Sequence, residues 1–396
     1  MPPTEAAGAG DLVVRGGSVL RDGTLRPGDV VIRDGRIVDA PAPPGAAAID
    51  AGGCVVVPGF VQLQMNGAVG IDLTAQPERL WELAALLPRW GVTSWLPTIV
   101  TSPEPVRERA LAALRAGPPD ATPVATPLGL HLEGPFLNPA RKGAHAERHI
   151  VRPDTGADLT AGWSRDAGVA LVTLAPELPG ALDLVRSLVD RGVVVSLGHS
   201  AATADQATAG VDAGARWATH LFNTMPPLHH RDPGLAAVAL TDERLHVGLI
   251  ADGLHVHPLM VRLAAGALGE RLTLVTDAVA ALGLPPGPIR LGDLEALADE
   301  DGVRLPDGTL AGSNLSMPEA VANLRDFADL DLPTAVHAAT AAPARLLGDE
   351  GARGTLAPGA VGDLVVLDDF GRVAATVIAG RVAHRADDRG SAAWRS

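Results

Sequence analysis

Residues 192–200 read GVVVSLGHS and residues 215–223 read ARWATHLFN, and both stretches are apolar runs with a histidine at the end. Short runs rich in valine and leucine are typical of buried strands in a parallel sheet. His199 and His220 are 21 residues apart, which is the length of one strand–helix unit. We therefore expect both side chains to be neighbours at one edge of the sheet.

Six further runs of this kind occur in the chain, and helix-like segments such as residues 77–91 and 180–192 lie between runs. Eight short strands with intervening helices predict an α/β fold of the (β/α)₈ barrel type. A doubly wound open sheet is the alternative, but no Gly-x-Gly-x-x-Gly follows an early strand. The six runs are CVVVPGFVQL (54–63), VTSWLPTIV (92–100), PLGLHLEG (127–134), VALVTLAPE (169–177), LHVGLIADG (245–253) and LTLVTDAV (272–279).

Both ends of the chain are expected to be β-rich. DLVVRGGSVL (11–20) and GDVVIRDGRIVDA (28–40) alternate apolar and polar residues around Gly-Gly and Asp-Gly turns, and GDLVVLDDFGRVAATVIAGRVAHR (362–385) has the same character. We expect the two ends to pair in one small β domain of residues 11–53 and 346–386. The barrel then takes residues 54–345.

Composition narrows the class of protein. The 396 residues include 32 basic and 46 acidic ones, a formal net charge of −14, which makes nucleic acid an unlikely partner. The negative net charge does not exclude a small anionic substrate, because a pocket can be locally positive inside an acidic protein. Cys54 is the only cysteine, which excludes an internal disulfide and a thiolate metal cluster. Because residues 1–14 do not resemble a signal peptide and no apolar run reaches about 18 residues, we expect a cytoplasmic protein without a membrane partner.

Polar side chains lie at the ends of the predicted strands, where a barrel of this type has its active site. Alone, each could be structural: Glu133 could bond loop amides, a single histidine is more often a core or capping residue, and Asp277 could cap a helix. Together, Glu133, His199 and His220 are a common catalytic zinc set. Asp277 is then a candidate general base. The strand-end residues are Gln64, Asn66, Glu133, His199, His220, Asp252, His255 and Asp277.

The loop NTMPPLHHRDPG (223–234) follows one of these strand ends. Loops with such charges are usually only solvated. However, Arg231, together with His255, could bind a phosphate through charge-assisted hydrogen bonds. His257 has the same chemistry, but we rank it lower because it falls on the opposite strand face or in a loop.

Several blocks resemble the amidohydrolase superfamily and, within it, the N-acetylglucosamine-6-phosphate deacetylase family. They run in family order from about residue 54 to 367, and GLHLEGPFLNPARKGAH with ATHLFNTMPPLHHRDPGLA is the most specific pair. The other blocks are VVPGFVQLQMNG, SLGHSAATADQA, IADGLHVHP, LVTDAVAALG, GTLAGSNLSMPEAVANL and GTLAPGAVGDLVVLD.

The resemblance implies a distorted barrel, a small β-sandwich built from both termini, and one catalytic divalent metal ion. Zinc is the expected ion, with Fe²⁺, Mn²⁺ and Co²⁺ as alternatives, and the substrate is a phosphorylated N-acetyl sugar. The implied residues are Glu133, His199 and His220 as metal ligands, Asp277 as acid/base, His145 on the acetyl carbonyl, and Asn223, Thr224, His255 and Arg231 as substrate-binding residues, with Arg231 reaching in from the partner subunit of a homodimer. Thr224 replaces the family's more usual alanine.

Gln64 and Asn66 stand where many related metal hydrolases have His-x-His. Neutral amides are poor zinc ligands beside imidazole, so we expect a site with one metal, in which both amides hydrogen-bond to water or to Asp277. Lys142 is the only lysine and the only candidate for a carboxylated-lysine ligand, which argues against the dinuclear cyclic amidases. Open alternatives are a sister substrate such as N-acetylgalactosamine 6-phosphate and a non-catalytic scaffold.

Overall fold

The structure is a computed structural model that describes residues 11–155, 157–299 and 302–386. Helices are concentrated between the two ends of the chain. In chain order they are α1 (Leu80–Leu86), α2 (Glu104–Ala116), α3 (Ala181–Asp190), α4 (Ala204–Asp212), α5 (Gly234–Thr241), α6 (Pro258–Leu268), α7 (Met317–Ala328), α8 (Leu332–Ala339) and α9 (Ala341–Leu346).

Strands occur along the whole described chain. They are β1 (Leu12–Arg21), β2 (Thr24–Arg33), β3 (Arg36–Val38), β4 (Ala47–Asp50), β5 (Val55–Pro58), β6 (Phe60–Met65), β7 (Gly67–Ala68), β8 (Ile71–Asp72), β9 (Val92–Val100), β10 (Thr126–Pro127), β11 (Leu130–Glu133), β12 (Val169–Leu174), β13 (Val194–Leu197), β14 (Trp217–Ala218), β15 (His246–Leu249), β16 (Leu272–Leu274), β17 (Gly287–Leu291), β18 (Leu294–Asp299), β19 (Gly302–Arg304), β20 (Leu364–Leu367), β21 (Val373–Ile378) and β22 (Arg381–Arg385).

A parallel barrel forms the centre of the molecule, and it confirms the predicted fold. Its hydrogen-bonded order is β6, β9 and then β11 to β16, with β10 added beside β9. A parallel bridge between Met65 and Ala278 brings the last strand region back to the first. All eight predicted runs contain a barrel strand. Because the barrel is parallel, the carboxyl ends of its strands lie at one face.

The local sequence accounts for the barrel elements. Every residue of β6 and β12 is buried, as expected for strands covered on both faces. The helix α3 buries Ala181, Leu184, Val185 and Leu188, which recur at helical spacing, against the sheet. Among the residues that the structure describes, no helix is long and apolar enough to cross a membrane.

Both ends of the chain meet in a second sheet, as predicted. Its order is β22-β21-β20-β5-β1-β2-β3, with β4 beside β1. The join between the two ends is the antiparallel pair β5–β20, in which Val57 is opposite Val365. Strand β5 therefore pairs in this sheet, although the expected division at residue 54 places it with the barrel. The run CVVVPGFVQL contributes a strand to each sheet: β5 pairs in the terminal sheet, and β6, which follows after Gly59, pairs in the barrel.

A small three-stranded sheet, β17-β18-β19, was not predicted from the sequence. It lies in the chain between the last barrel strand and α7, and it has its own apolar cluster that includes Val279, Leu291 and Val303. Strand β18 alternates exposed and less exposed residues in its middle, the pattern of a sheet with one solvated face. The turn between β17 and β18 packs against the barrel face that carries the strand-end residues, where Leu291 is buried.

Candidate active site

Three predicted ligands meet at the carboxyl ends of neighbouring barrel strands. Glu133 is the last residue of β11, and His199 and His220 each lie two residues beyond the ends of β13 and β14. Glu133 Oε1 is 3.0 Å from His199 Nε2 and 3.1 Å from His220 Nε2, and the two nitrogens are 3.1 Å apart. Both histidines have positive φ, 48° and 29°, a backbone conformation that is costly for non-glycine residues and frequent at functional sites.

The hydrogen bond of His199 Nδ1 indicates that this cluster suits a cation. Its Nδ1 is 3.0 Å from the carbonyl oxygen of Arg141, which can only accept, so Nδ1 carries a proton. In the neutral ring, Nε2 then directs a lone pair at the Glu133 carboxylate and at His220. Such a set of converging lone pairs requires a positive charge. A backbone carbonyl on the far nitrogen is also the usual partner of a metal-bound histidine, so the donor set fits a divalent metal ion.

Electrostatics support this reading of the cluster. Burial opposes the charged form of His220, but the hydrogen bond and charge of Glu133 outweigh it, so the pKa of His220 is raised above its usual value. Burial likewise acts to raise the pKa of Glu133, yet its contacts with the imidazoles of His199 and His220 hold that pKa well below its usual range. The ionised carboxylate of Glu133 therefore favours a positive charge, from a proton or a cation, among these side chains.

His145 lies beside this cluster on the loop after β11. Its Nε2 is 3.8 Å from Glu133 Oε2, and its ring stands edge-on to that of His199, with 4.4 Å between centroids. Donor atoms of Glu133, His145 and His199 lie within 4.8 Å of one another, so His145 is also close enough to take part in binding an ion. Burial, followed by the charge of His199, lowers the pKa of His145 to about 3, which makes its ring neutral at ordinary pH.

Asp277 lies on the other side of the same centre, three residues beyond β16. Its Oδ1 accepts hydrogen bonds from Gln64 Nε2 at 3.1 Å and from Asn66 Nδ2 at 2.6 Å. The Gln64 amide also donates to Glu133 Oε1 at 3.1 Å, so it bridges the two carboxyl groups. Burial and the charge of Glu133 raise the pKa of Asp277 to about 7.

One cavity, whose free space including its open mouth is about 740 Å³, is lined by Asn66, Glu133, His145, His199, His220 and Asp277. The predicted substrate residues Asn223, Thr224 and His255 lie on its wall. His255 is held by Asp252, whose Oδ2 is 2.6 Å from His255 Nδ1. Arg231 lies outside this wall: it is exposed, and its guanidinium contacts the neighbouring His230 at 2.7 Å.

Comparison with known proteins assigns the chain to a family. The amidohydrolase family matches residues 55–383, which include the whole barrel, β20, β21 and the first part of β22. The chain belongs to the amidohydrolase family.

Relatives of this amidohydrolase align over almost their whole length. It is 40% identical over 405 residues to human N-acetylglucosamine-6-phosphate deacetylase, covering 96% of this chain and 98% of that protein. It is 37% identical over 371 residues to N-acetylgalactosamine-6-phosphate deacetylase of Escherichia coli, covering 92% and 97%. A mutant of the Mycobacterium smegmatis N-acetyl-D-glucosamine-6-phosphate deacetylase, solved in complex with N-acetyl-D-glucosamine-6-phosphate, has a TM-score of 0.84 and 36% identity over 95% of this chain and 100% of that one.

Some residues of this amidohydrolase's cavity were not singled out from the sequence. Leu291, from the unpredicted sheet, and Thr309 and Leu310, from the loop before α7, complete the wall. Thr309 and Leu310 lie in the block GTLAGSNLSMPEAVANL, so the family resemblance already pointed to this loop. Nothing in the local sequence connects Leu291 with the barrel face, because the contact depends on how the inserted sheet folds back.

Proposed function

We propose that this amidohydrolase hydrolyses the N-acetyl amide of N-acetylglucosamine 6-phosphate to glucosamine 6-phosphate and acetate. The observation that carries the proposal is a half-buried Asp277 with a pKa of about 7 at the edge of a Glu–His–His cluster, in one open cavity. A metal-binding set beside a group that can both take and give a proton suits amide hydrolysis. The names of the relatives supply the substrate. We place the reaction in the cytoplasm.

For the metal we propose one divalent ion per chain, held by Glu133, His199 and His220. Two imidazoles and a carboxylate form a frequent catalytic zinc set, so zinc is our first choice ahead of Fe²⁺, Mn²⁺ or Co²⁺. When bound, the ion acts as a Lewis acid that makes water a better nucleophile and offsets negative charge on the acyl oxygen. Gln64 occupies the neighbouring position with a neutral amide, which favours a single ion over a pair.

The protein's own groups then carry the protons. Asp277 accepts a proton as water attacks the amide carbon and a C–O bond forms. Gln64 and Asn66 hold its carboxyl group through Oδ1 for that transfer. His145, neutral by its lowered pKa, donates a hydrogen bond to the acyl oxygen as negative charge develops there. Asp277 finally returns the proton to the amine nitrogen while the C–N bond breaks.

For the sugar phosphate we propose Asn223, Thr224 and His255 from the cavity wall, and Arg231 from a partner subunit. Arg231 is exposed and outside the cavity of its own chain, which is what a residue serving a neighbouring protomer requires. A guanidinium suits a phosphate because it can donate two parallel hydrogen bonds. The protein would then act as a homodimer.

The phosphate role of Arg231 is tested with Arg231→Ala. We expect KM for the phosphorylated sugar to rise by about tenfold or more, since a charge-assisted contact is worth about 1.5–3 kcal/mol. Metal content should stay unchanged. Arg186→Ala, which removes an exposed arginine paired with Asp183 on α3, is the matched control and should leave KM as it is. An unaltered KM in Arg231→Ala would reject the assignment.

The E. coli relative named for N-acetylgalactosamine 6-phosphate makes that epimer a second candidate substrate. Metal analysis together with kcat/KM for both phosphorylated N-acetyl sugars and for unphosphorylated N-acetylglucosamine distinguishes the possibilities. We expect a divalent metal, a preference for the glucosamine epimer and a large loss without phosphate. A protein that holds no metal, or that is indifferent to phosphate, contradicts the proposed function.

A further inference from the structure

Thr101 lies directly after β9 and contacts the Nδ1 edge of the His145 ring. Its backbone nitrogen is 3.3 Å from His145 Nδ1, and its Oγ1 is 2.9 Å from the same nitrogen. Both residues are buried, with 4% and 5% of their surface exposed. We propose that Thr101 is a positioning residue, which holds His145 with its ring proton on Nε2 and directs that N–H at the acyl oxygen of the substrate. This inference rests on the proposed function.

The backbone nitrogen of Thr101 decides which ring nitrogen carries the proton. A backbone N–H can only donate, so the His145 Nδ1 that it faces has to accept. A proton on Nδ1 would place two hydrogens against each other in a buried site and leave the N–H without a partner, which is costly. The proton of the neutral ring is therefore on Nε2, the nitrogen nearest to Glu133 Oε2 and on the cavity side.

The hydroxyl of Thr101 fixes the plane of the ring. Because Nδ1 accepts, the one hydroxyl hydrogen of Thr101 points at Nδ1, 2.9 Å from Oγ1, and the backbone carbonyl oxygen of Glu133, 3.1 Å from Oγ1, is the second acceptor that competes for it. The hydroxyl therefore lies between the ring and the end of β11. The space for it depends on Gly134, because a Cβ at that position would lie 2.2 Å from Thr101 Oγ1. A loop residue, His145, is thus oriented by the ends of two barrel strands.

This arrangement has a consequence for catalysis. A donor aimed at a developing oxyanion contributes most when it is already oriented before the reaction. A ring with its proton on Nδ1 would instead present a lone pair to the acyl oxygen and repel it. Without the Thr101 hydroxyl the ring keeps its tautomer but is less firmly oriented. We therefore expect kcat to fall more than KM changes, since the interaction matters mainly in the transition state.

The test compares Thr101→Val, which keeps the backbone N–H and the branched shape, with Thr101→Ser, which restores the hydroxyl. With the metal-loaded enzyme we expect Thr101→Val to lower kcat by about tenfold or more, as misplacement of a catalytic group does. KM and metal content should change by less than about twofold, and Thr101→Ser should recover most of the rate. In a His145→Gln background the valine change should cost less than about twofold, because the group that it positions is absent. An unchanged kcat in Thr101→Val, or the same loss in both backgrounds, overturns the proposal.

Nitrogen NMR of ¹⁵N-histidine-labelled, metal-loaded protein reads the tautomer without any turnover, with His145→Gln identifying the signal. We expect a protonated Nε2 and an unprotonated Nδ1 both in the wild type and in Thr101→Val, because the valine keeps the backbone N–H that faces Nδ1. A proton on Nδ1 in the wild type overturns the inference. If instead the tautomer is as expected and no N-acetyl sugar phosphate is hydrolysed, the positioning of His145 stands and the proposed function fails.

Discussion

Asp277 is an unusual residue because its half-buried carboxyl group lies between another carboxylate and two neutral amides. Its position at a strand end identified it from the sequence as a candidate base. Its pKa, raised to about 7 by burial and by the charge of Glu133, depends on contacts across the barrel. A carboxyl group with a pKa near neutrality can accept and return a proton at ordinary pH, as hydrolysis of an amide demands.

Asp277→Asn tests that role. We expect a loss in kcat of about 10² to 10⁴, the usual contribution of a general acid/base, with metal content as in the wild type. Metal analysis beside steady-state kinetics provides the measurement, and Asp326→Asn on the exposed face of α7 serves as the control. If the metal is lost together with activity, Asp277 is a ligand and not only a base.

The same residue predicts how stability depends on pH in metal-free protein. The pKa of Asp277 is about 7 in the folded chain, against an ordinary value of 3.8, so the folded state binds the proton more tightly. Stability contributed by this group is therefore greatest at low pH and declines as pH rises from about 4 to 7. Above pH 7 the Asp277 carboxylate is ionised in both the folded and the unfolded state, so the free energy of unfolding is lowered by the full cost of placing that charge in the site.

Thermal unfolding in the presence of a chelator tests this pH dependence by comparing the Tm of the wild type with that of Asp277→Asn. Asp277→Asn carries no charge, so at pH 8 its Tm should exceed that of the wild type, and the gap should narrow toward pH 5. The comparison removes the contributions of groups that the two proteins share. If the Tm difference between the two proteins instead grows as pH falls, the pKa of Asp277 is not raised in the folded state.

At the scale of elements, the turn between β17 and β18 is joined to the barrel face through two different carboxylates. Buried Asp72, at the end of β8, accepts hydrogen bonds from the backbone nitrogens of Gly292 and Thr74. Exposed Asp293, in the turn itself, pairs with Arg148 and with His149. The turn carries Leu291 into the cavity wall, so these contacts affect the shape of the site.

Asp72→Ala and Asp293→Ala form a matched pair on this turn. Removal of Asp72 leaves buried backbone N–H groups unsatisfied, and we expect a loss of about 1–3 kcal/mol in the free energy of unfolding. Removal of Asp293 breaks only solvent-exposed ion pairs, which are worth about 0–1 kcal/mol. Urea denaturation compares the two. Equal losses would show that the buried carboxylate does not anchor the turn.

At the scale of the whole molecule, an ion pair between half-buried Arg353 and buried Asp363 joins the terminal sheet to the barrel. Arg353 Nη1 is 2.7 Å from Asp363 Oδ2, just before β20, and 2.8 Å from the hydroxyl of Ser94 in β9. Asp363 Oδ1 also accepts from the backbone nitrogen of Ala379 at 2.8 Å. Burial raises the pKa of Asp363 despite the arginine, which shows how costly its charge becomes without a partner.

Arg353→Met should accordingly destabilise the protein by about 3–5 kcal/mol, because it leaves a buried carboxylate unpaired. The double variant Arg353→Met with Asp363→Asn should recover part of that loss. Arg372→Met, which removes the partner of Asp368 at the surface, should cost no more than about 1 kcal/mol. Chemical denaturation measures all three, and a loss in Arg353→Met no larger than that in Arg372→Met would refute the joining role.

The sequence by itself determined the barrel, the pairing of the two chain ends and the residue types of the candidate site. Buried parallel strands must be apolar throughout, so polar residues stand out where those strands end, as at Glu133, His199 and Asp277. The tertiary structure alone decided the rest. Gln64 and Asp277 are 213 residues apart, and only the closed barrel brings that amide onto that carboxylate. The tautomer of His145, the raised pKa of Asp277 and the place of Leu291 likewise depend on burial and on distances between remote segments, which no local pattern records.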